Sequence, residues 1–143
     1  GGGHVGYALS RVLSLLDFYT VVVDDRSGLK TFSKNKYADE LIPESYDKLG
    51  KIVKDNSFVI IVTTGFESDK KALLQIINKD LKYIGLMGTT AKIKKISSEL
   101  IKSGIKKAVL NKIHAPIGID IGSDTPEEIA ISITAELIKI KNQ

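Results

Sequence analysis

The sequence predicts an α/β protein built on a doubly wound, mostly parallel β-sheet. Three observations support this fold class: short β-branched segments alternate with amphipathic segments, a continuous apolar run lies near the middle of the chain, and no repeat or linker interrupts the order. Strands that alternate with helices favour parallel pairing with right-handed crossovers. Because 143 residues is the length of one domain, we expect residues 1–143 to form a single domain.

The first half of the chain opens with a helix and a strand. Apolar residues recur at helical spacing between Val5 and Leu16, which predicts a helix from His4 to about Asp17. The elements predicted after it are, in order, a strand at 19–23 that ends in two acids, a loop at 26–38, a brief strand at 39–42 and a helix at 44–54.

The second half of the chain has the clearest strand and the clearest helix start. SFVIIVT at 57–63 is apolar almost throughout, which is typical of a central strand covered on both faces. In SDTPEEIA, Thr125 can cap a helix, Pro126 suits its first position, and Glu128 completes a capping box. The other elements predicted here are a helix beginning at Ser68-Asp69, a strand at 83–87, and a helix at 89–102 that Gly104 ends.

Composition and charge exclude several function classes. The chain has no cysteine, which excludes disulfides, thiolate metal sites and a thiol nucleophile, and its two histidines, His4 and His114, lack any metal-binding spacing. The net charge is +4, but lysines alternate with acids as on a solvated surface. The apolar runs are too short to cross a bilayer. We therefore expect a cytoplasmic protein that binds no nucleic acid, no membrane and no metal ion of its own.

The opening GGGHVG has the spacing of a phosphate-binding glycine loop. Gly1, Gly3 and Gly6 match G-x-G-x-x-G, which allows a tight turn, a close approach of backbone to a pyrophosphate and close helix packing. Asp24 stands 21 residues after Gly3, where an acid can accept hydrogen bonds from a ribose. Arg26 could pair with Asp24 or lie beside a ribose phosphate, so the choice between NAD and NADP stays open. The alternative interpretation is a compact turn without a ligand.

The chain starts directly at this loop, although a glycine turn of this kind normally follows a β-strand. A parallel sheet without its innermost strand would leave main-chain donors and acceptors unpaired. We therefore expect that the first strand, about five or six residues long, is missing from the chain and that Gly1 is not the natural start.

Further candidate residues follow the two later strands. Thr63, Thr64 and Gly65 end the predicted central strand at the crevice where doubly wound folds bind ligands, so they could contact a phosphate. Gly88 ends the next strand and would allow a close approach. His4 could donate to a bound anion or be a solvated residue at a helix start, and these two interpretations stay open.

Four segments together resemble a known family: GGGHVGYAL, VVVDDR, YIGLMGT and the long KIHAPIGIDIGSDTPEEIAISITAELI. They closely resemble the C-terminal Rossmann domain of the XdhC/CoxI family, accessory factors for molybdenum hydroxylases such as xanthine dehydrogenase. The resemblance covers nearly the whole chain. It implies a Rossmann-like fold and a maturation role, in which family members bind molybdenum cofactor, protect it, help present it for sulfuration and deliver it to the hydroxylase.

The resemblance also assigns residues, with two departures. The matching positions are Gly1, Gly3, His4 and Gly6 in the glycine loop, Asp24, Asp25 and Arg26 in the acid cluster, and His114, Pro116, Gly118, Asp120 and Gly122 before the last helix. Where the family usually has Thr-His-Asp, this chain has Thr-Thr-Gly at 63–65, and where it often has Gly-Ser-Arg-Arg, this chain has Gly-Thr-Thr-Ala at 88–91. An imidazole and two phosphate-binding cations are therefore lost.

The resemblance and the glycine loop predict a nucleotide-binding accessory domain in molybdenum cofactor handling, with a xanthine dehydrogenase-like hydroxylase as partner and a homodimer left open. The implied ligand is NAD, NADP or the nucleotide form of the molybdenum cofactor. The predicted cofactor-binding residues are Gly1, Gly3, His4, Gly6, Asp24, Asp25, Arg26, Thr63, Thr64, Gly65 and Gly88. One alternative is an NAD(P)-dependent oxidoreductase, although no convincing proton donor is present. Another is a nucleotide-sensing domain like those that gate potassium transport, against which HAPIGIDIG argues.

Overall fold

The structure is a computed structural model that describes all 143 residues, and these residues form two compact units. Unit 1 comprises residues 1–45 and 118–143, and unit 2 comprises residues 46–117. The elements in chain order are α1 (His4–Leu13), β1 (Val21–Asp24), α2 (Lys30–Ser33), β2 (Glu40–Pro43), a 3₁₀ turn (Tyr46–Lys48), α3 (Leu49–Ile52), β3 (Phe58–Ile61), α4 (Phe66–Ile76), β4 (Tyr83–Leu86), α5 (Thr90–Lys102), α6 (Lys107–Leu110) and α7 (Pro126–Lys141).

Unit 1 combines a parallel strand pair with two packed helices. β1 and β2 run parallel, with Val21 opposite Glu40 and Asp24 opposite Pro43. α1 packs against α7, since each helix turns an apolar stripe toward the other. The buried apolar side chains of these two helices are Ala8, Leu9, Leu13, Ala130, Ile133 and Leu137. Just before α1, the amide of Gly2 donates to Asp24 at the carboxyl end of β1.

Unit 2 has a second parallel pair, β3 and β4, with Phe58 opposite Tyr83 and Ile61 opposite Leu86. All four residues of β4 are buried, as expected for an inner strand. On the other side of β4, His114 forms a single parallel bridge to Gly85. The Tyr83 ring lies between two other rings: its centroid is 6.1 Å from that of Phe58 and 4.6 Å from that of His114.

The predicted α/β class with parallel strands is confirmed, but the sheet consists of two separate two-stranded pieces rather than one continuous doubly wound sheet. The helix predicted to reach Asp17 ends at Leu13, because Leu15 is 83% exposed and finds no core to cover it. The predicted loop at 26–38 contains α2, whose Phe32 is buried. The helix predicted at 44–54 is only the 3₁₀ turn followed by α3. α6 was not predicted.

The helix boundary signals at α5 and α7 are confirmed. Thr125 caps α7 and forms the capping box with Glu128, whose carboxylate accepts the amides of Thr125 and Asp124 at 3.0 and 2.8 Å. These backbone hydrogen bonds lower the pKa of Glu128. Thr89 caps α5, and Gly104 follows it with φ +99°. None of the helices combines the length and the apolar composition that a membrane crossing requires.

Candidate functional site

The start of α1 presents main-chain donors that the chain itself does not use. Gly3 is the N-cap residue, in an extended conformation and with no side chain to cap the helix, and the first turn contains no acid. The amides of His4, Val5 and Gly6 have no acceptor in the protein, and the His4 side chain is exposed. Since the positive end of a helix favours negative charge, this turn is suited to an anion.

Gly2, the residue before the N-cap of α1, anchors the loop to the end of β1 and packs against α2. Its amide donates to Asp24 Oδ2 at 2.7 Å, and a Cβ at this position would lie 2.8 Å from Phe32 Cβ. Real Cβ contacts are not this short, so only glycine fits here. In the G-x-G-x-x-G pattern the second position can be any residue, and Phe32 of α2 belongs to no motif. Sequence reasoning therefore missed the roles of both Gly2 and Phe32.

Asp24, the last residue of β1, is fully buried and holds the loop to the strand end. Its Oδ1 accepts the amide and Nε of Arg26 at 2.9 and 3.0 Å, and its Oδ2 accepts the Gly2 amide and Arg26 Nη2 at 2.7 and 2.9 Å. A carboxylate has about four acceptor sites, so those of Asp24 are filled. The arrangement favours the pairing of Arg26 with Asp24 over a phosphate role for Arg26.

The pKa of Asp24 reflects two opposing effects. Burial alone raises this pKa, because a charged carboxylate is poorly stabilised away from water. The hydrogen bonds from Arg26 and the Gly2 amide, together with the guanidinium charge, outweigh burial and lower the pKa to about 2. Asp24 is therefore ionised at neutral pH and acts on the loop as a fixed negative charge.

Asp25 differs from Asp24 in its exposure and in its hydrogen bonding. Its side chain is exposed, and it makes no hydrogen bond or ion pair with the rest of the chain. Of the two predicted acids, Asp25 is thus the one whose oxygens are open to a ribose hydroxyl.

In unit 2, the predicted residues after β3 form a loop anchored by a buried acid. Thr63 is buried, and both its amide and its hydroxyl donate to Asp69 Oδ1, which lies in the first turns of α4. Thr64 is exposed, and Gly65 is the N-cap of α4 with open space where a Cβ would stand. A ligand could therefore approach Thr64 and Gly65 from solvent, whereas Thr63 stabilises the loop through its hydrogen bonds to Asp69.

The other oxygen of Asp69 pairs with Lys92 of α5. Lys92 Nζ also donates to the Met87 carbonyl at 3.3 Å, and its side chain lies across Gly88, with Cδ 3.0 Å from the position of a Cβ. The absence of a side chain at Gly88 thus makes room for Lys92. Asp69 and Lys92 were missed by sequence reasoning, which used the acid only to mark a helix start.

The distinctive segment before α7 packs closely on that helix. Gly118 has φ +96°, and a Cβ there would lie 2.3 Å from Ser132 Oγ, so glycine is required. The Gly118 amide donates to Glu136 at 2.8 Å, and Ser132 Oγ donates to the Ile119 carbonyl at 2.6 Å. These contacts make this part of the motif a structural anchor in unit 1.

The predicted ligand residues thus fall into two groups, each at strand ends that meet helix starts. Unit 1 brings together Gly1, Gly3, His4, Gly6, Asp24, Asp25 and Arg26, and unit 2 contains Thr63, Thr64, Gly65 and Gly88. The assignment of these residues to a cofactor stays a prediction.

Parallel strands that alternate with helices make this an α/β protein, and a glycine loop at the start of the first helix is a feature of Rossmann domains. The chain belongs to the XdhC family: the XdhC Rossmann domain matches residues 1–137. The family resemblance inferred from the four sequence segments is therefore confirmed.

Similar proteins are longer than this chain. The uncharacterized protein YqeB of Escherichia coli K12 is 30% identical over 99% of the chain, which covers 26% of YqeB. A probable xanthine dehydrogenase subunit of Bacillus subtilis is 26% identical over 100% of the chain, which covers 42% of that protein. A crystal structure of a xanthine dehydrogenase from Bacillus halodurans superposes with a TM-score of 0.84 at 32% identity, over 99% of this chain and 41% of the other.

Proposed function

We propose that the chain is a nucleotide-binding accessory domain in molybdenum cofactor handling for xanthine dehydrogenase-type hydroxylases. Membership of the XdhC family supports the maturation role, as do two similar proteins that are named for xanthine dehydrogenase. The observation that carries the nucleotide-binding part is the set of three unused amides at the start of α1, with no acid in that turn.

In this proposal, the phosphates of the ligand accept hydrogen bonds from the amides of His4, Val5 and Gly6. The exposed His4 ring adds a donor beside the same position. Asp25 accepts from a ribose hydroxyl beside the end of β1. Asp24 holds the loop in this proposal, which its four hydrogen bonds from Gly2 and Arg26 support. NAD, NADP and the nucleotide form of the molybdenum cofactor all carry the pyrophosphate that this turn suits.

Unit 2 offers a separate set of ligand contacts under the same proposal. Thr64 and Gly65 are open to solvent and can supply a hydroxyl and an amide. Gly88 contributes only if Lys92 leaves its present place, since that side chain covers it. The partner in this proposal is a xanthine dehydrogenase-type enzyme.

The test is isothermal titration of the chain with NAD, NADP, ATP, CTP and the dinucleotide form of the molybdenum cofactor. We expect binding of at least one of them. In the His4→Glu variant, the new carboxylate occupies the positive end of α1, and its charge repels the phosphates, so affinity should fall at least tenfold. Helix stability should be kept, since an acid is favourable in a first turn.

Ser98→Glu is the matched control, because it makes the same charge change at an exposed position within α5. It should leave affinity within twofold of the wild-type value. Lack of binding by all five ligands would overturn the proposal. Equal losses in both variants would move the site away from α1. Oxidation of NADH or NADPH with an added substrate would instead favour the oxidoreductase alternative.

A further inference from the structure

Two buried polar side chains lie directly behind the first turn of α1. Ser10 Oγ donates to the Gly6 carbonyl at 2.8 Å, and Asn35 Nδ2 donates to Ser10 Oγ at 3.0 Å. Ser10 is 1% exposed and Asn35 is 4% exposed. A buried polar pair of this kind is retained only where its hydrogen bonds are satisfied.

The direction of this chain of hydrogen bonds is fixed by the backbone after α2. Asn35 Oδ1 accepts the amides of Tyr37 and Ala38 at 3.0 and 3.3 Å, so its Nδ2 must face Ser10. The Ser10 hydroxyl, which accepts from Asn35, then directs its own proton to Gly6. Hydrogen bonds aligned in one direction polarise and strengthen one another.

The same segment also supports the other end of the loop. Phe32 of α2 is buried, with its Cβ and ring against the backbone of Gly2. Residues 32–35 therefore contact the loop at Gly2 through packing and at Gly6 through the hydrogen bonds of Ser10. The amides of residues 4–6, which have no acceptor in the protein, belong to the stretch from Gly2 to Gly6 that these two contacts hold.

We infer that Ser10 and Asn35 are positioning residues, which hold the amides of residues 4–6 in the direction that an anionic ligand requires. This inference rests on the proposed nucleotide site. Hydrogen bonds weaken steeply when the donor turns away from the acceptor, so a fixed turn binds a phosphate better than a mobile one. Neither residue touches the ligand, and both act through Gly6.

The test compares Ser10→Ala with Thr134→Val in the same unit. Thr134 Oγ1 donates to the Ala130 carbonyl at 2.7 Å, and Thr134 is 4% exposed, so this variant removes the same kind of bond, from residue i to i−4, in α7. We expect Ser10→Ala to weaken nucleotide binding about five- to tenfold and Thr134→Val to change it less than twofold. Asn35→Ala should resemble Ser10→Ala, and it replaces that variant if Ser10→Ala does not fold.

A second readout uses the protein without ligand, so it does not depend on the proposed function. The Tyr7 amide makes the first helical bond of α1, to Gly3, and the Ile129 amide makes the first bond of α7, to Thr125, each at 2.9 Å. In Ser10→Ala we expect hydrogen exchange at Tyr7 to become about tenfold faster while Ile129 is unchanged. Thr134→Val should not accelerate exchange at Tyr7.

The outcomes separate the two proposals. If the wild-type chain binds no nucleotide, the proposed function fails, and unchanged exchange at Tyr7 in both Ser10→Ala and Asn35→Ala would overturn the positioning role as well. If nucleotide binds but Ser10→Ala keeps wild-type affinity, or Thr134→Val loses as much affinity as Ser10→Ala, the positioning role fails alone.

Discussion

The two units each contain one fully buried acid beside the end of a strand, and the two acids are held in different ways. Asp24 in unit 1 pairs with Arg26, two residues away in the chain. Asp69 in unit 2 pairs with Lys92, which lies on another helix. Both acids also accept the amide of a residue in a loop that meets the strand end, Gly2 for Asp24 and Thr63 for Asp69.

The two acids differ in the number of hydrogen bonds that the cation donates and in how far along the chain the cation lies. A guanidinium gives Asp24 two directed hydrogen bonds with a fixed geometry, whereas an ammonium gives Asp69 one contact and shares its other donors with Met87. The first arrangement is complete within one strand end. The second connects two helices, so it depends on the packing of unit 2.

Loss of the cation should have the largest effect. Arg26→Met leaves the Asp24 carboxylate buried without a charge partner, and we expect a loss of about 3 kcal/mol in the free energy of unfolding, at the low end for a broken buried pair. The low end applies because Arg26 is 38% exposed. Lys92→Met should lose about 2 kcal/mol, since Asp69 keeps both bonds from Thr63. Urea denaturation measures both values.

The matched control is Asp25→Asn, which removes an exposed and unpaired charge beside Asp24 and should change stability by less than about 0.5 kcal/mol. If Lys92→Met cost more than Arg26→Met, the number of directed bonds would not be what distinguishes the two acids.

Acid should weaken unit 1 through Asp24. The pKa of this carboxyl is about 2 in the folded protein, against an ordinary value of 3.8, so its contribution is complete above about pH 4 and is lost as the pH falls toward 2. The difference between these pKa values corresponds to about 2 kcal/mol. The stability advantage of wild type over Asp24→Asn should therefore shrink by about this amount between pH 5 and pH 2, measured by urea denaturation at each pH. If the difference in unfolding free energy between wild type and Asp24→Asn stayed constant over this pH range, this prediction would be wrong.

Gly2, whose amide donates to Asp24, and its neighbour Gly3 should also respond differently to a side chain. In Gly2→Ala, the new methyl group would lie 2.8 Å from Phe32 Cβ, an atom that cannot move without its backbone. We expect a loss of about 2 kcal/mol, in the range for overpacking, and weaker nucleotide binding because the Gly2 amide leaves Asp24. Gly3→Ala is the control, since nothing lies within 4 Å of a Cβ there. Equal effects of the two changes on unfolding would contradict this account.

The same comparison shows which parts of the structure a sequence can predict. The caps of α5 and α7 and the acid that ends β1 have local signatures, because the residues that decide them are neighbours in the chain. The parallel pairing is predicted instead from the alternation of strands and helices along the chain. The support of Gly2 by Phe32 and the pairing of Asp69 with Lys92 join distant residues without any spacing rule. The end of α1 was misplaced for the same reason: Leu16 continues the helical pattern of the sequence, but the exposure of Leu15 next to it depends on which distant elements cover this stretch.

Apart from the control variants, Gly88→Ala should have the smallest effect, and it tests how firmly Lys92 is held. The new methyl group meets only the far end of this flexible side chain, with Cδ at 3.0 Å and Nζ at 3.4 Å. A shift of a few tenths of an ångström relieves the contact and need not break the pair with Asp69, so we expect a loss under about 1 kcal/mol. If the loss were as large as that of Lys92→Met, Lys92 could not shift and still pair with Asp69. The geometry of the Asp69 pair would then be as fixed as that of Asp24 with Arg26.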